Sequence, residues 1–275
     1  MKNFCGTILI SGRTNVGKST LFNKLIGNKL SIVSNRKNTT TKYILGVNNN
    51  INYQSIFIDT PGFNNKHYKY NKLKIFDKNL YIDIIILIID RNIWKKEDSK
   101  ISKIANKNKI PIILLINKID KIKNKNILLP FLKKKFKKYN FSEIIPISSK
   151  KNIYSEKVKK IIEAKLPCRK HIFKKDFITY NTKEFIVSEI FREKFMYNLR
   201  DEIPYNINIK VQFIKKIFHE KLYIKLFIIP KNVRYKKIII GKNGNIIKKC
   251  CFKAKKDLEK IFNKKIHINI IIKSI

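Results

Sequence analysis

A chain of 275 residues exceeds one average domain, so two domains are expected, each large enough for its own core. With 62 Lys and Arg against 19 Asp and Glu the formal net charge is +43 and the isoelectric point about 10.1, which points to a polyanionic partner such as nucleic acid. The longest apolar stretch, Ile84 to Ile89, is far too short to span a bilayer, and Cys5, Cys168, Cys250 and Cys251 have neither paired metal spacing nor the density of a disulfide framework. Reduced thiols and scattered, solvated histidines are therefore expected in place of a zinc site. The charge is spread, with 35 basic against 10 acidic residues up to Leu166 and 27 against 9 beyond. A Lys-, Ile- and Asn-rich composition of this kind also follows from AT-rich coding, so charge alone does not fix a partner.

The first element is an apolar run, Thr7 to Ile10, followed by GRTNVGKST at Gly12 to Thr20 and by Leu21, Phe22, Leu25 and Ile26 at helical spacing. The glycines thus sit on a strand-to-helix turn, the setting a phosphate loop requires. Gly12, Arg13, Thr14, Asn15, Val16, Gly17, Lys18, Ser19 and Thr20 are the residues expected around the phosphates. Gly12 and Gly17 let backbone N–H groups point inward, Lys18 is placed to reach the β/γ-phosphates, and the Ser19 hydroxyl to ligate magnesium. Next, Ser31 to Lys42, SIVSNRKNTTTK, reads as a polar loop. Thr39 or Thr40 is the candidate to complete a magnesium shell from it, Thr40 being taken for the metal and catalytic set.

Tyr43 to Val47 and Tyr53 to Asp59 read as two strands joined by an asparagine turn, ending on Asp59-Thr60-Pro61-Gly62. An aspartate closing a strand, with glycine three residues on, can hold magnesium through water while the Gly62 N–H senses a γ-phosphate. Ile84 to Ile89 and Ile112 to Ile116 are β-branched runs typical of strands covered on both faces, so a doubly wound α/β sheet is expected. The second run ends in Asn117-Lys118-Ile119-Asp120, where a carboxylate can accept from the N1–H and amine of guanine. Asn117 would brace the loops and the Lys118 stem would cover the base. A further run, Ile144 to Ile147, ends in Ser148-Ser149-Lys150, whose N–H groups could meet the guanine carbonyl.

A helix from Ile153 to Lys165 closes the first domain, residues 1–166, and the Lys- and Arg-dense stretch 167–182 reads as a linker. Residues 183–275 change rhythm: an amphipathic helix at Lys183 to Leu199, strands at Tyr205 to Phe218 and Leu222 to Ile229, helices at Val233 to Ile240 and Asn245 to Phe262, and a last strand at Ile266 to Ile272. Gly241-Lys242-Asn243-Gly244 lies between the last two helices. The order αββααβ with a GxxG loop at that joint resembles an α+β type II KH domain, whose loop clamps single-stranded nucleic acid.

The series GRTNVGKST, DTPG, NKID and SSK resembles the translation-factor-related GTPases, and specifically the Era family. Asn15 matches the asparagine of potassium-activated members, SNRKNTT is similar to Era's basic switch, Trp94 falls where Era proteins often carry one, and IIIGKNGNIIKK, EIFREK and EIPY echo its second domain. Phe63 stands where Ras-like enzymes place a water-orienting glutamine, which a phenyl ring cannot replace. The resemblance implies that Asn15 with bound potassium, plus Lys18, Thr40, Gly62 and backbone groups, supplies the catalytic function. It implies a magnesium-dependent, cytoplasmic, monomeric enzyme that hydrolyses GTP to GDP and phosphate, and binds the small-subunit ribosomal RNA 3′ end and the pre-ribosomal subunit during ribosome assembly. Many members carry a tail after the last strand and an acidic linker motif that is eroded here, so weaker RNA discrimination is expected. Two readings stay open on the residues: a basic RNA-binding protein whose nucleotide domain holds GTP without turnover, and a GTP switch acting on a protein or peripherally at the inner face of the cell membrane.

Overall fold

The computed structural model describes residues 2–31, 43–61, 81–124, 126, 128, 130–132, 139–200, 202–217 and 221–273. Thr39, Thr40, Gly62 and Phe63 lie outside the described residues. The chain divides into two compact units, Met1–Tyr180 and Asn181–Ile275.

In the first unit, strands β1 (Phe4–Gly12), β2 (Ile44–Asn49), β3 (Tyr53–Asp59), β4 (Ile84–Asp90), β5 (Ile112–Asn117) and β6 (Glu143–Pro146) form one sheet in the order β2-β3-β1-β4-β5-β6. All pairs are parallel except β2 with β3, an antiparallel edge. The continuous aliphatic runs of β4 and β5 are explained by burial on both faces, since helices cover the sheet and every residue from Ile84 to Ile89 and from Ile112 to Ile116 is buried. Helices α1 (Lys18–Ile26), α2 (Lys96–Lys107) and α3 (Ser155–Ala164) accompany it. This is the doubly wound α/β architecture, and its parallel strands deliver Gly12, Asp59, Asp90 and Asn117 to one edge. β1 runs longer than its apolar core, because Phe4, Cys5 and Gly6 pair in register with Tyr53, Gln54 and Ser55.

The stretch 167–180 is laid against the first unit. Cys5 N–H donates to Pro167 O at 3.1 Å, Val47 N–H to Ile178 O at 2.7 Å, and Thr179 Oγ1 to Leu45 O at 2.5 Å. Buried Gln54 ties it further, its Oε1 accepting from the N–H groups of Ile172 and Phe173.

The second unit is α4 (Lys183–Asn198), β7 (Ile207–Ile217), β8 (Lys221–Pro230), α5 (Val233–Ile240), α6 (Asn245–Phe262) and β9 (Ile266–Ile272), the αββααβ order of a type II KH domain. Its sheet is β7-β8-β9, antiparallel then parallel. β7 begins after Tyr205 because Ile203–Asn206 winds into a short 3-10 turn around Pro204. α4 starts where Thr182 Oγ1 accepts from Phe185 N–H, and it is buried over more of its circumference than a two-sided amphipathic helix. Lys194 can be buried there because Glu193 lies 3.0 Å away and Asp257 of α6 also meets its ammonium. Among the described residues no helix is long and apolar enough to cross a membrane.

Candidate functional site

The phosphate-loop segment turns on three positive-φ residues, Gly12 at 147°, Asn15 at 62° and Gly17 at 103°. At two of them a side chain is also excluded by space. A Cβ on Gly12 would meet Ile88 O at 2.4 Å, and one on Gly17 would meet Asn117 Nδ2 at 2.2 Å. Gly17 caps α1, so the loop's N–H groups continue into a helix N-terminus.

Three segments distant in sequence join this turn, making four in all. Lys18 Nζ is buried and donates to the carbonyls of Gly12 at 3.0 Å and Arg13 at 2.8 Å. From β3, Asp59 Oδ2 accepts from Ser19 Oγ at 2.8 Å and from Ser31 Oγ at 2.7 Å, while Oδ1 is buried without a hydrogen-bond partner among the described residues. Burial pushes the Lys18 ammonium down to about 8 against the pull of Asp59. It pushes Asp59 upward, opposed by Lys18 and the two hydroxyls. Each group is therefore a buried charge whose loss of hydration the other only partly offsets. Thr60 Oγ1 donates to Ile10 O at 2.9 Å, fixing the exit of β3 against β1.

From β5, Asn117 bridges two loops: its Nδ2 donates to Val16 O at 2.7 Å and its Oδ1 accepts from Ser149 N–H at 2.9 Å. Lys118, at φ 64°, lays its stem toward the phosphate loop, with Nζ 2.6 Å from Asn15 O and 2.9 Å from Asp90 Oδ2. Asp120 Oδ1 accepts from Ser148 Oγ at 2.5 Å, a bond that holds its carboxyl below the usual range. Thr14, Thr20, Pro61, Ile119 and Lys150 sit within the same four segments.

Three supports were not legible from motifs. Arg13 Nε pairs with buried Asp98 of α2 at 3.0 Å and its Nη2 donates to Ile93 O at 2.7 Å, so the loop is anchored to the far side of the sheet. Asp98 also accepts from Lys95 N–H as part of the α2 start, and that start was the only sequence signal available. Asp90, beneath Lys118, is raised by burial but brought net below its ordinary value by Arg91 and Lys118. Ser31, by sequence the first residue of a polar loop, is the third, its hydroxyl donating to Asp59 Oδ2.

In the second unit Gly241, Lys242, Asn243 and Gly244 form a tight turn between α5 and α6. Gly241 has φ 73°, Asn243 52° and Gly244 76°. The two glycines differ in surroundings. A Cβ on Gly241 would meet Ile246 at 2.7 Å, whereas the nearest atom to one on Gly244 is Lys248 Cε at 3.5 Å. Gly241 is held by packing, and Gly244 has room for a side chain at ordinary contact distance from Lys248 and Ile247. Lys242 and Asn243 are exposed beside it.

Residues 7–118 match the family described as 50S ribosome-binding GTPase, and residues 202–274 match the KH domain family. The chain is 44% identical over 272 residues to GTPase Era of Buchnera aphidicola subsp. Schizaphis graminum, covering 99% of this chain and 97% of that one. It is 36% identical over 276 residues to GTPase Era of Haemophilus influenzae, covering 99% and 91%. Among solved structures, a variant of Aquifex aeolicus Era bound to GDP and AlF4- has a TM-score of 0.87 at 34% identity, over 100% of this chain and 94% of that one. An Era in complex with MgGDPNP and nucleotides 1506–1542 of 16S ribosomal RNA has a TM-score of 0.86 at 34% identity, over 99% and 94%.

Proposed function

The chain belongs to the Era family and is a GTPase, and we propose that it couples hydrolysis of GTP to GDP and phosphate with binding of the 3′ end of small-subunit ribosomal RNA during ribosome assembly. The observation that carries this is one chain holding both a phosphate-loop site and a GxxG turn at the α5–α6 joint, like the Era that binds MgGDPNP and 16S RNA together. Nucleotide chemistry is assigned to residues 1–166 and RNA binding to 183–275, acting as a cytoplasmic monomer.

Within the first domain, Lys18 is assigned to the phosphates and Asp120 to the guanine edge, with Asn117 and Lys118 holding the loops that frame the base. Magnesium fits the donor set present: a serine hydroxyl and a carboxylate are hard oxygens, and Asp59 Oδ1 is buried with no hydrogen-bond partner among the described residues. Ser19 and Asp59, with Thr40, would hold it. Magnesium supplies neutralisation of charge on the transferring phosphoryl group. Lys18, lowered by burial, regains a counter-charge when an anion arrives beside it. GTP would order the segments around Thr40 and Gly62, and hydrolysis would release them, switching the RNA affinity of the KH domain.

Potassium is assigned beside Asn15, since Phe63 cannot orient water. Hydrolysis is then expected to run faster in potassium than in sodium, and Asn15→Ala to remove that difference with GDP binding nearly intact. Phosphate release measured in the two salts checks this, and equal parent rates would sink the assignment.

RNA binding is tested at Gly244. Its φ of 76° lies in the region Asp tolerates better than most residues, and its surroundings have room for a side chain, so Gly244→Asp is expected to fold. A carboxylate there meets the phosphates, and affinity for a 3′-end oligonucleotide is expected to fall about tenfold to a hundredfold. GDP affinity is expected to hold. Titration at two salt concentrations separates this from a general +43 field, which one carboxylate would barely change. Near-parent oligonucleotide affinity in a variant that binds GDP normally would remove the loop from the RNA site.

A further inference from the structure

Beyond the loop at its start, α6 carries six lysines and two acidic residues. Both acids are engaged by their own fold. The Asp257 carboxylate meets the Lys194 ammonium, and Glu259 Oε1 accepts from Ile266 N–H at 3.1 Å. Lys248, Phe252, Lys256 and Lys260 recur every four residues and are all exposed, which makes one row along the solvent side of the helix. The row begins at the GxxG turn, where Lys248 Cε is the nearest atom to a Cβ built on Gly244. In its middle Phe252 is 60% exposed, and Lys256 Nζ lies 4.5 Å from the ring centroid. It ends in an open cleft of about 610 Å³ lined by Lys256, Glu259, Lys260, Asn263, Lys264 and Lys265. At about 1.5 Å of rise per residue, Lys256 at the near side of the cleft lies about 17 Å along the helix from Asn245, and the end of the helix at Phe262 about 26 Å.

We propose that this row and cleft form a second RNA site, which takes the phosphodiester backbone of the strand after it has left the GxxG turn and offers the Phe252 face to a base. The inference rests on the RNA-binding role proposed for the turn and extends it. A GxxG turn clamps about four nucleotides, so a longer strand must lie on something next, and the row is continuous with the turn. The chemistry favours nucleic acid over a lipid surface. Phe252 stands among lysines without the apolar face that an interfacial helix inserts into a bilayer. A cation-flanked ring inside a basic track is the arrangement that stacks bases and holds phosphates in single-strand binders.

The test replaces the cleft lysines together, Lys256→Gln, Lys260→Gln, Lys264→Gln and Lys265→Gln, beside a charge-matched control in α2, Lys96→Gln, Lys100→Gln, Lys103→Gln and Lys107→Gln. Each protein is titrated with small-subunit 3′-end RNA of about four and about sixteen nucleotides. The cleft variant is expected to lose about tenfold or more on the longer RNA, with the log–log salt slope reduced by about 0.7 per phosphate contact removed. It is expected to match the parent on the tetranucleotide and in GDP binding, and the α2 control to match the parent throughout. Parent-like affinity of the cleft variant for the longer RNA overturns the proposal. So does an equal loss in the α2 control, which would mean a general field, or an equal loss on the tetranucleotide, which would place the effect in the turn or the fold. If the parent fails to hold the tetranucleotide while the longer-RNA loss persists, the turn loses its role and the cleft keeps its own.

Discussion

Alanine in place of Gly17 is expected to weaken GDP binding by about a hundredfold or more and to lower the melting temperature of the first domain. Two costs add. The backbone there has φ 103°, a conformation an L-residue enters at about 1–3 kcal/mol. The new Cβ would also lie 2.2 Å from Asn117 Nδ2, a side chain that cannot swing aside cheaply, because it holds Val16 O at one end and Ser149 N–H at the other. Displacing it leaves buried polar groups unpaired, at about 1–3 kcal/mol each. The loops assigned to the phosphates and the base then lose their common brace.

Gly27 supplies the control, because it too has a positive φ, 79°, at the end of α1, yet a Cβ there meets nothing within 4 Å. Gly27→Ala should cost about 1 kcal/mol of stability and leave GDP affinity near the parent value. Calorimetric GDP titration and thermal melts of both variants decide the matter. A Gly17→Ala protein within a few-fold of the parent for GDP would show that Asn117 does not brace the nucleotide site.

The contrast between these glycines also marks what the sequence could disclose. Gly17 was legible because a phosphate-loop pattern fixes its place between a strand and a helix. That its side of the turn is closed by Asn117, 100 positions later, was not, since no local pattern encodes a van der Waals distance. β4 and β5 were legible as unbroken β-branched runs, because a parallel strand covered on both faces has no polar alternation. The bounds of α6 and β9 were legible too, since Gly244 starts the helix and Asn263, at φ 48°, stops it. The attachment of residues 167–180 was hidden. Lysines and a proline resemble a linker in composition, whereas the bonds that hold the stretch are backbone groups and one buried glutamine, Gln54. Arg13 and Asp98, and Ser31 and Asp59, were hidden for the same reason: each pairing joins residues far apart in sequence, with no spacing to announce it.

Asp120→Asn is expected to reduce GTP affinity by about three orders of magnitude and to raise affinity for xanthosine triphosphate. A site built to bond a particular donor pair discriminates by factors of this size, because a mismatched group is left unpaired. Guanine presents two donors, N1–H and the exocyclic amine, to an acceptor-only carboxylate, and Asp120 is kept in that form by the Ser148 hydroxyl at 2.5 Å. The amide of asparagine retains one acceptor and turns one donor toward the base. Against guanine that donor faces the amine. Against xanthine it faces a carbonyl, and the pairing is restored. The Ser148 hydroxyl can still donate to the amide oxygen, though without charge assistance, and the loop geometry that Asn117 and Ser149 set does not pass through Asp120, so it is expected to survive. Hydrolysis and binding of both triphosphates, measured on parent and variant, make the check. A variant that keeps parent GTP affinity without gaining any for xanthosine triphosphate would take the base-reading role away from Asp120.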